Sequence, residues 1–134
     1  MGTRWRVEFT AIDPFNPDEA VWKVGVEHAL LESIQRYHHE SKQMALIAAD
    51  FVFKNTDAIY RGRDRPNTTE NFVYTGFPPT VRRKSGVEVP ADKRMIFAVF
   101  VRENGNVACW EWRKKSDTDL RRPDGIEGEA IWRA

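Results

Sequence analysis

Between Arg94 and Lys115 the chain reads RMIFAVFVRENGNVACWEWRKK, two runs rich in β-branched and aromatic residues on either side of Asn104-Gly105. Such runs favour strands. A two-residue type I′ turn needs positive φ at both central positions, which Asn and Gly tolerate best. The pattern therefore predicts a β-hairpin in which Val101 faces Ala108, Val99 faces Trp110 and Phe97 faces Trp112. Alternate side chains share a face, so these six form one wholly apolar surface that belongs in a core. The opposite face pairs Arg102 with Val107, Phe100 with Cys109, Ala98 with Glu111 and Ile96 with Arg113. It is mixed in character.

The same reading extends along the chain. Thr3 to Ile12 alternates, with Trp5, Val7, Phe9 and Ala11 on one side, and predicts a half-buried strand that Asp13-Pro14-Phe15-Asn16-Pro17 stops. Asn16 is a capping residue, Pro17 suits the first helical position and Glu19 stands three residues after the cap. A long helix is expected from there to about residue 40. Its apolar arc contains Ala20, Trp22, Val24, Val26, Ala29, Leu30, Leu31, Ile34 and Tyr37. Its polar stripe contains Gly25, His28, Glu32, Gln35, Arg36 and His39. Lys42 to Lys54 (KQMALIAADFVFK) predicts a second, shorter helix, although Phe51-Val52-Phe53 has strand character. Asn55-Thr56-Asp57 is turn chemistry. Strands follow at 58–63 and 72–75, separated by the polar loop DRPNTTEN. Residues 80–93 form a long basic loop, 116–125 a charged loop, and 126–134 a closing strand or ordered tail carrying Trp132. The expectation is one α+β domain over residues 1–134: an antiparallel sheet of about five strands with one long and one shorter helix packed on one face.

With 134 residues, one domain can bury a sizeable core. The single cysteine, Cys109, excludes an internal disulfide and suits a reducing compartment. The N-terminus carries no signal-peptide pattern, and no apolar run approaches the roughly 20 residues of a membrane span. These readings point to a cytoplasmic protein without a membrane partner. The net charge of +1 is unevenly spread. Residues 1–58 carry six Lys/Arg against nine Asp/Glu, residues 59–94 eight against four, and residues 95–134 seven against seven. Only the middle segment is basic, which permits phosphate contact but is far from a strongly basic nucleic-acid-binding composition. His28 and His39 would stand about 16 Å apart on a helix, too far to share a metal ion. Glycine-rich phosphate loops, nucleophile elbows and Cys/His metal spacings do not occur, so neither cofactor nor metal is expected.

Glu111 is the most suggestive group for chemistry, a carboxylate on a mixed strand face opposite small Ala98. Metal-free RNA cleavage needs a base for the 2′-hydroxyl and cations for the phosphorane. Glu111 could be that base, with Arg61, Arg63 and Arg113 supplying charge. Arg82, Arg83 and Lys84 could grip phosphate, and Tyr60 or Tyr74 could stack on a base. No histidine lies on these strands, so a general acid is unassigned. From Met44 to Ser116, in element order and in the phrase ADFVFKNTDAIYRGR, the chain resembles the small barnase-like and RelE-like ribonucleases. That resemblance implies helices packed on an antiparallel meander whose exposed face cleaves RNA, and the N-terminal strand fits a RelE-like start. A more remote reading, ADP-ribosyl transfer, uses Tyr60-Arg61-Gly62 and Glu127-Gly128-Glu129 but lacks the intervening Ser-Thr-Ser strand. Ranked above both is a non-enzymatic domain, binding RNA or protein, or pairing as a homodimer, through a mixed face on which Ile96, Phe100 and Val107 stay partly apolar and exposed. In that reading Trp5, Trp110 and Trp112 are core residues.

Overall fold

The computed structural model describes residues 7–26, 30, 42–78, 81–82, 85–89, 93–116 and 126–134; at 7, 42, 44–45, 81–82, 88–89, 93, 110–116 and 126–128 it describes the backbone alone. The strands are β1 (Val7–Ile12), β2 (Val21–Val26), β3 (Ala58–Gly62), β4 (Thr68–Gly76), β5 (Val81–Arg82), β6 (Glu88–Val89), β7 (Lys93–Arg102), β8 (Val107–Ser116) and β9 (Ile126–Arg133). Among the described residues one helix is given along its length, α1 (Lys42–Lys54), and Leu30 is also helical. Seven strands form one sheet in the order β1-β2-β8-β7-β4-β3-β9, and β5 and β6 form a separate two-stranded ribbon.

This corrects the expected five-stranded antiparallel sheet under two helices. The sheet has seven strands and is mixed, because β2 runs parallel to β8 through Gly25 opposite Ala108 and Val26 opposite Cys109. Strands β3, β4, β7 and β8 do form a consecutive antiparallel meander. The expected long helix fails in its first part, since residues 21–26 are a strand paired antiparallel with β1. Asn16 opens only a single turn, its carbonyl accepting from the Glu19 and Ala20 amides at 3.2 and 3.0 Å. The physical reason is visible in the residues: Trp22, Val24 and Val26 are spaced by two, the strand period, and valine's β-branch favours the extended chain. Among them Val24 and Val26 are buried. The polar stripe from His28 to His39 lies outside the described residues, as does Trp5, whereas Leu30 of the apolar arc is helical and packs against the core.

Helix α1 has the expected limits. Its C-terminus is tied by the Asn55 side chain, whose Nδ2 donates to the Phe51 carbonyl at 2.9 Å, and by the Thr56 hydroxyl, which donates to the Val52 and Phe53 carbonyls. These bonds satisfy carbonyls that the helix end would otherwise orphan. Asp50 is answered by Lys54 one turn on, at 2.9 Å. Gly76 lets the sheet approach this end closely, since a Cβ there would stand 3.0 Å from Val52 Cγ1 and 3.3 Å from the Asn55 carbonyl. None of the described helices is long and apolar enough to cross a membrane.

The sheet is strongly curled, a half-barrel around α1. In a flat sheet β1 and β4, four strand spacings apart, would be separated by about 19 Å. Instead the Tyr74 hydroxyl of β4 donates to the Ile12 carbonyl at the end of β1, and the rings of Trp22 on β2 and Phe72 on β4 lie 5.6 Å apart. Phe53 of α1 fills the hollow, with ring centroids 5.5 Å from Phe9, 5.7 Å from Tyr74 and 4.6 Å from Phe97. The core continues through Ile59, Met95, Val99 and Cys109.

The hairpin of β7 and β8 forms, with a different turn. Gly105 takes φ +88°, whereas Asn104 does not enter the positive-φ region. The Gly105 amide donates to the Arg102 carbonyl at 2.8 Å and the Arg102 amide to the Asn106 carbonyl at 2.9 Å. This is a three-residue loop, a type I turn followed by a left-handed glycine, rather than type I′. Val101 therefore faces Val107, Phe100 faces Ala108 and Val99 faces Cys109. A bulge at Trp110 then restores the expected register, so that Ala98 faces Glu111, Phe97 faces Trp112 and Ile96 faces Arg113. Cys109 consequently lies in the core instead of on the mixed face. The side chains of Trp110, Glu111, Trp112 and Arg113 lie outside the described residues.

Burial raises the pKa of the Tyr74 hydroxyl far above its ordinary value of 10.0, with the Asp13 carboxylate adding to the effect. Above pH 10 the unfolded chain releases this proton while the folded chain keeps it, so stability falls as pH rises; below pH 10 both states hold it. Urea melts should lose about 1.4 kcal/mol per pH unit from this site above pH 10. Tyr74→Phe should remove that component and cost about 1 kcal/mol at neutral pH for the lost hydrogen bond. Identical alkaline slopes for the two proteins would refute the assignment.

Candidate functional site

Three connections meet at one end of the half-barrel. The 13–20 segment joins β1 to β2, 63–67 joins β3 to β4, and 103–106 joins β7 to β8; the pairings Ile12 with Val21, Thr68 with Arg102 and Gly25 with Ala108 bring all three to the same end. Here an open cleft of about 380 Å³ is lined by Arg65, Pro66, Asn67, Thr68, Phe100 and Arg102.

Local backbone geometry builds this cleft. Asn67 holds φ +62°, the one non-glycine residue in the left-handed region among those described. Asn tolerates that conformation better than most side chains. One residue later β4 bulges: Thr68 pairs with Arg102 but Glu70 pairs with Val101, leaving Thr69 as the extra residue. Ordinary alternation would put Thr68 and Asn71 on opposite faces. The bulge puts them on the same one. The Asn71 Nδ2 donates to Thr68 Oγ1 at 2.9 Å, and the Thr68 hydroxyl donates to the Arg65 carbonyl at 2.7 Å. This chain fixes the amide orientation, because a Thr68 hydroxyl committed to Arg65 can only accept from Asn71. It also pins the loop that carries Arg65. Asn71 is only 7% exposed, and its Oδ1 is buried with no hydrogen-bond partner among the described residues. Such an acceptor costs about 1–3 kcal/mol.

Two guanidinium groups line the cleft. That of Arg102 stacks over the Phe100 ring at 5.3 Å from the centroid. A cation on an aromatic face, with a second cation across an open cleft, suits a planar group joined to an anion. A cleft of this size lies near the lower end of small-ligand sites and has room for one nucleotide-sized group.

The backbone register separates two of the residues singled out from sequence, Arg61 and Glu111. Arg61 lies in the register row of Phe72, Val99 and Cys109, which faces the core side, whereas Glu111 lies in the row of Tyr60, Val73 and Ala98 on the other side. Arg61 donates to Glu70 at 3.3 Å and its guanidinium sits over the Phe72 ring at 5.9 Å. Arg113 stands opposite Ile96, on the same side as Glu111 by register. Arg63 is exposed just beyond β3. Tyr60 is half-buried, but Tyr74 is fully buried in the core and cannot stack on an incoming base. Arg82 is in β5, paired with Glu88, and the loop expected over 80–93 thus contains a small ribbon; Arg83 and Lys84 lie outside the described residues.

The mixed face is also less open than expected. Ile96 is 6% exposed, and Val73, Thr75 and Ala108 on the same side are buried, while Phe100 is half-buried; Val107, expected on this face, stands opposite Val101 and packs against the core instead. Cleft residues that sequence reasoning missed are Arg65, Asn67, Thr68 and Arg102, along with Asn71, which holds Thr68 from behind. The Pro66-Asn67 turn dipeptide is a signal for the loop, but no spacing marks the bulge. No protein-family model, curated protein or solved structure matches this chain.

The backbone assignment at the cleft is testable through stability. Asn67→Gly should change the unfolding free energy by less than about 0.5 kcal/mol, whereas Asn67→Ala should destabilise by about 1 kcal/mol, because only alanine opposes positive φ. Equal effects in chemical denaturation would contradict the left-handed assignment.

Proposed function

We propose that this protein binds single-stranded RNA, seating one nucleotide in the cleft at the 63–67 loop. The observation that carries this reading is the Arg102–Phe100 stack facing the same cleft as Arg65. Phe100 and the Arg102 plane offer a stacking surface that accepts any base, and the two guanidinium groups offer charge to the flanking phosphates. Asn67 and Thr68 line the same cleft and add polar groups within its wall. Size argues for an unpaired strand, since the cleft has room for a splayed nucleotide and none for a helical duplex.

A protein-docking role for the mixed face draws less support, because its central residues Val73, Thr75, Ile96 and Ala108 are buried. Strand cleavage by Glu111 with Arg61 also draws less support, since the register rows of those two residues face opposite ways.

The test is fluorescence anisotropy with labelled single-stranded RNA from low to moderate salt. Wild-type protein should bind, with a single strand preferred over the matching duplex. Phe100→Ala should weaken binding about tenfold, because stacking on one base is worth about 1–3 kcal/mol. Arg65→Gln combined with Arg102→Gln should make the salt dependence shallower by about 1.4 in the log–log slope, at about 0.7 for each phosphate no longer neutralised. Wild-type protein that binds no RNA at low salt would end this reading.

A further inference from the structure

We infer that Asn67 is the residue of the cleft that reads the base, and that it selects adenine; this rests on the RNA-binding reading of the cleft. The lining residues divide by chemistry. Arg65 and Arg102 bring positive charge, Phe100 brings a ring, and the Pro66 side chain has neither donor nor acceptor. The Thr68 hydroxyl donates to the Arg65 carbonyl at 2.7 Å and accepts from Asn71 Nδ2 at 2.9 Å, so its one proton is used within the wall. Asn67 is the neutral lining side chain that still has both a donor and an acceptor to offer. It is exposed, and its carboxamide makes no hydrogen bond among the described residues.

The backbone makes this carboxamide notable. At φ +62° the position suits glycine at least as well as asparagine. Asparagine in a turn usually turns its amide onto nearby backbone, and that of Asn67 does not. The loop therefore has no use for the side chain, whereas the cleft has one. Asn67 precedes Thr68, which pairs with Arg102 across from the Phe100 platform. A base lying on that platform turns an edge, not a face, towards the loop. A carboxamide sets one acceptor beside one donor. Adenine offers the complement on both of its edges, the amino hydrogens of N6 beside N7 on one and beside N1 on the other. Guanine presents two acceptors, O6 and N7, on the first of these edges, and the pyrimidines lack that edge altogether. Asparagine accordingly pairs with adenine through two hydrogen bonds, and the purine also covers more of the Phe100 ring than a pyrimidine does.

The test compares a labelled uridine nonamer with the same strand carrying one central adenosine, by anisotropy with full-length protein. Wild-type protein should bind the adenosine strand about tenfold more tightly. Replacing that adenosine by purine riboside, which keeps the fused ring and lacks the amino group, should lose most of the preference. Asn67→Gly, which suits the left-handed backbone and removes the carboxamide, should bring the two strands to within about twofold of each other, with a denaturation curve confirming that the variant is folded. Equal wild-type affinity for the two strands, a preference that survives Asn67→Gly or purine riboside, or a folded Asn67→Gly that loses both strands alike would each overturn the assignment and leave the cleft standing. Wild-type protein that binds neither strand at low salt would remove the cleft and the base reading together.

Discussion

The closure of the sheet over Phe53 is the interaction on which the remaining structure depends. Flat, a seven-stranded sheet has more apolar face than α1 could cover. Curling solves this by letting the sheet cover itself. Phe53 meets rings from β1, β4 and β7 at once, and burying an aromatic side chain of this kind contributes about 1.5–3 kcal/mol. The Tyr74 hydroxyl then finds its acceptor at Ile12, across the hollow. A buried phenol without a partner would oppose the curl; with one, it fixes how far β1 and β4 approach.

The end of the barrel opposite the cleft is knotted by Asp57. Its carboxylate accepts from Arg94 and from the Thr75 hydroxyl, its amide donates to the Thr75 carbonyl, and its carbonyl accepts from the Ala134 amide. One residue thereby joins the end of α1 to β4, β7 and the segment after β9. Arg94 also lies over the Phe77 ring at 4.6 Å. Polar satisfaction at this end is dense, whereas the cleft end keeps an unanswered Asn71 oxygen, a left-handed Asn67 and an exposed Phe15. Strain and unsatisfied groups persist where the surrounding structure can carry them, and here the knot and the Phe53 core carry them.

Elements with one consistent local signal are legible in the sequence. The alternation of Phe9 and Ala11, the β-branched runs of β7 and β8, and the Met-Leu-Ala start of α1 each agree with their fold. Strand β2 reads as helix because the capping signals at Asn16-Pro17 and a wide apolar arc conceal the two-residue spacing of Trp22, Val24 and Val26. Its pairing with β8 is non-local, and no local rule encodes it. The hairpin turn shows the same limit at smaller scale. Asn104-Gly105 permits two turn types, and the choice between them depends on a bulge at Trp110 that lies five residues beyond the glycine. The candidate catalytic set shows a related limit, since Arg61 and Glu111 are close in register but one step out of phase, and one step reverses the face.

The curl and the cleft share a cause. Strand β7 is flanked by an extra residue in each neighbour, Thr69 in β4 and Trp110 in β8. Bulges bend the strand that carries them and increase local twist, and both act on the stretch of β7 from Ala98 to Arg102. That twist helps wrap the sheet, and the same Thr69 insertion sends Thr68 to the face of Asn71 and Phe100. Removing the insertion would flatten this end of the sheet and turn Thr68 away from its partner together. A site built this way has no signature in residue spacing, because the spacing becomes meaningful only after the sheet has bent.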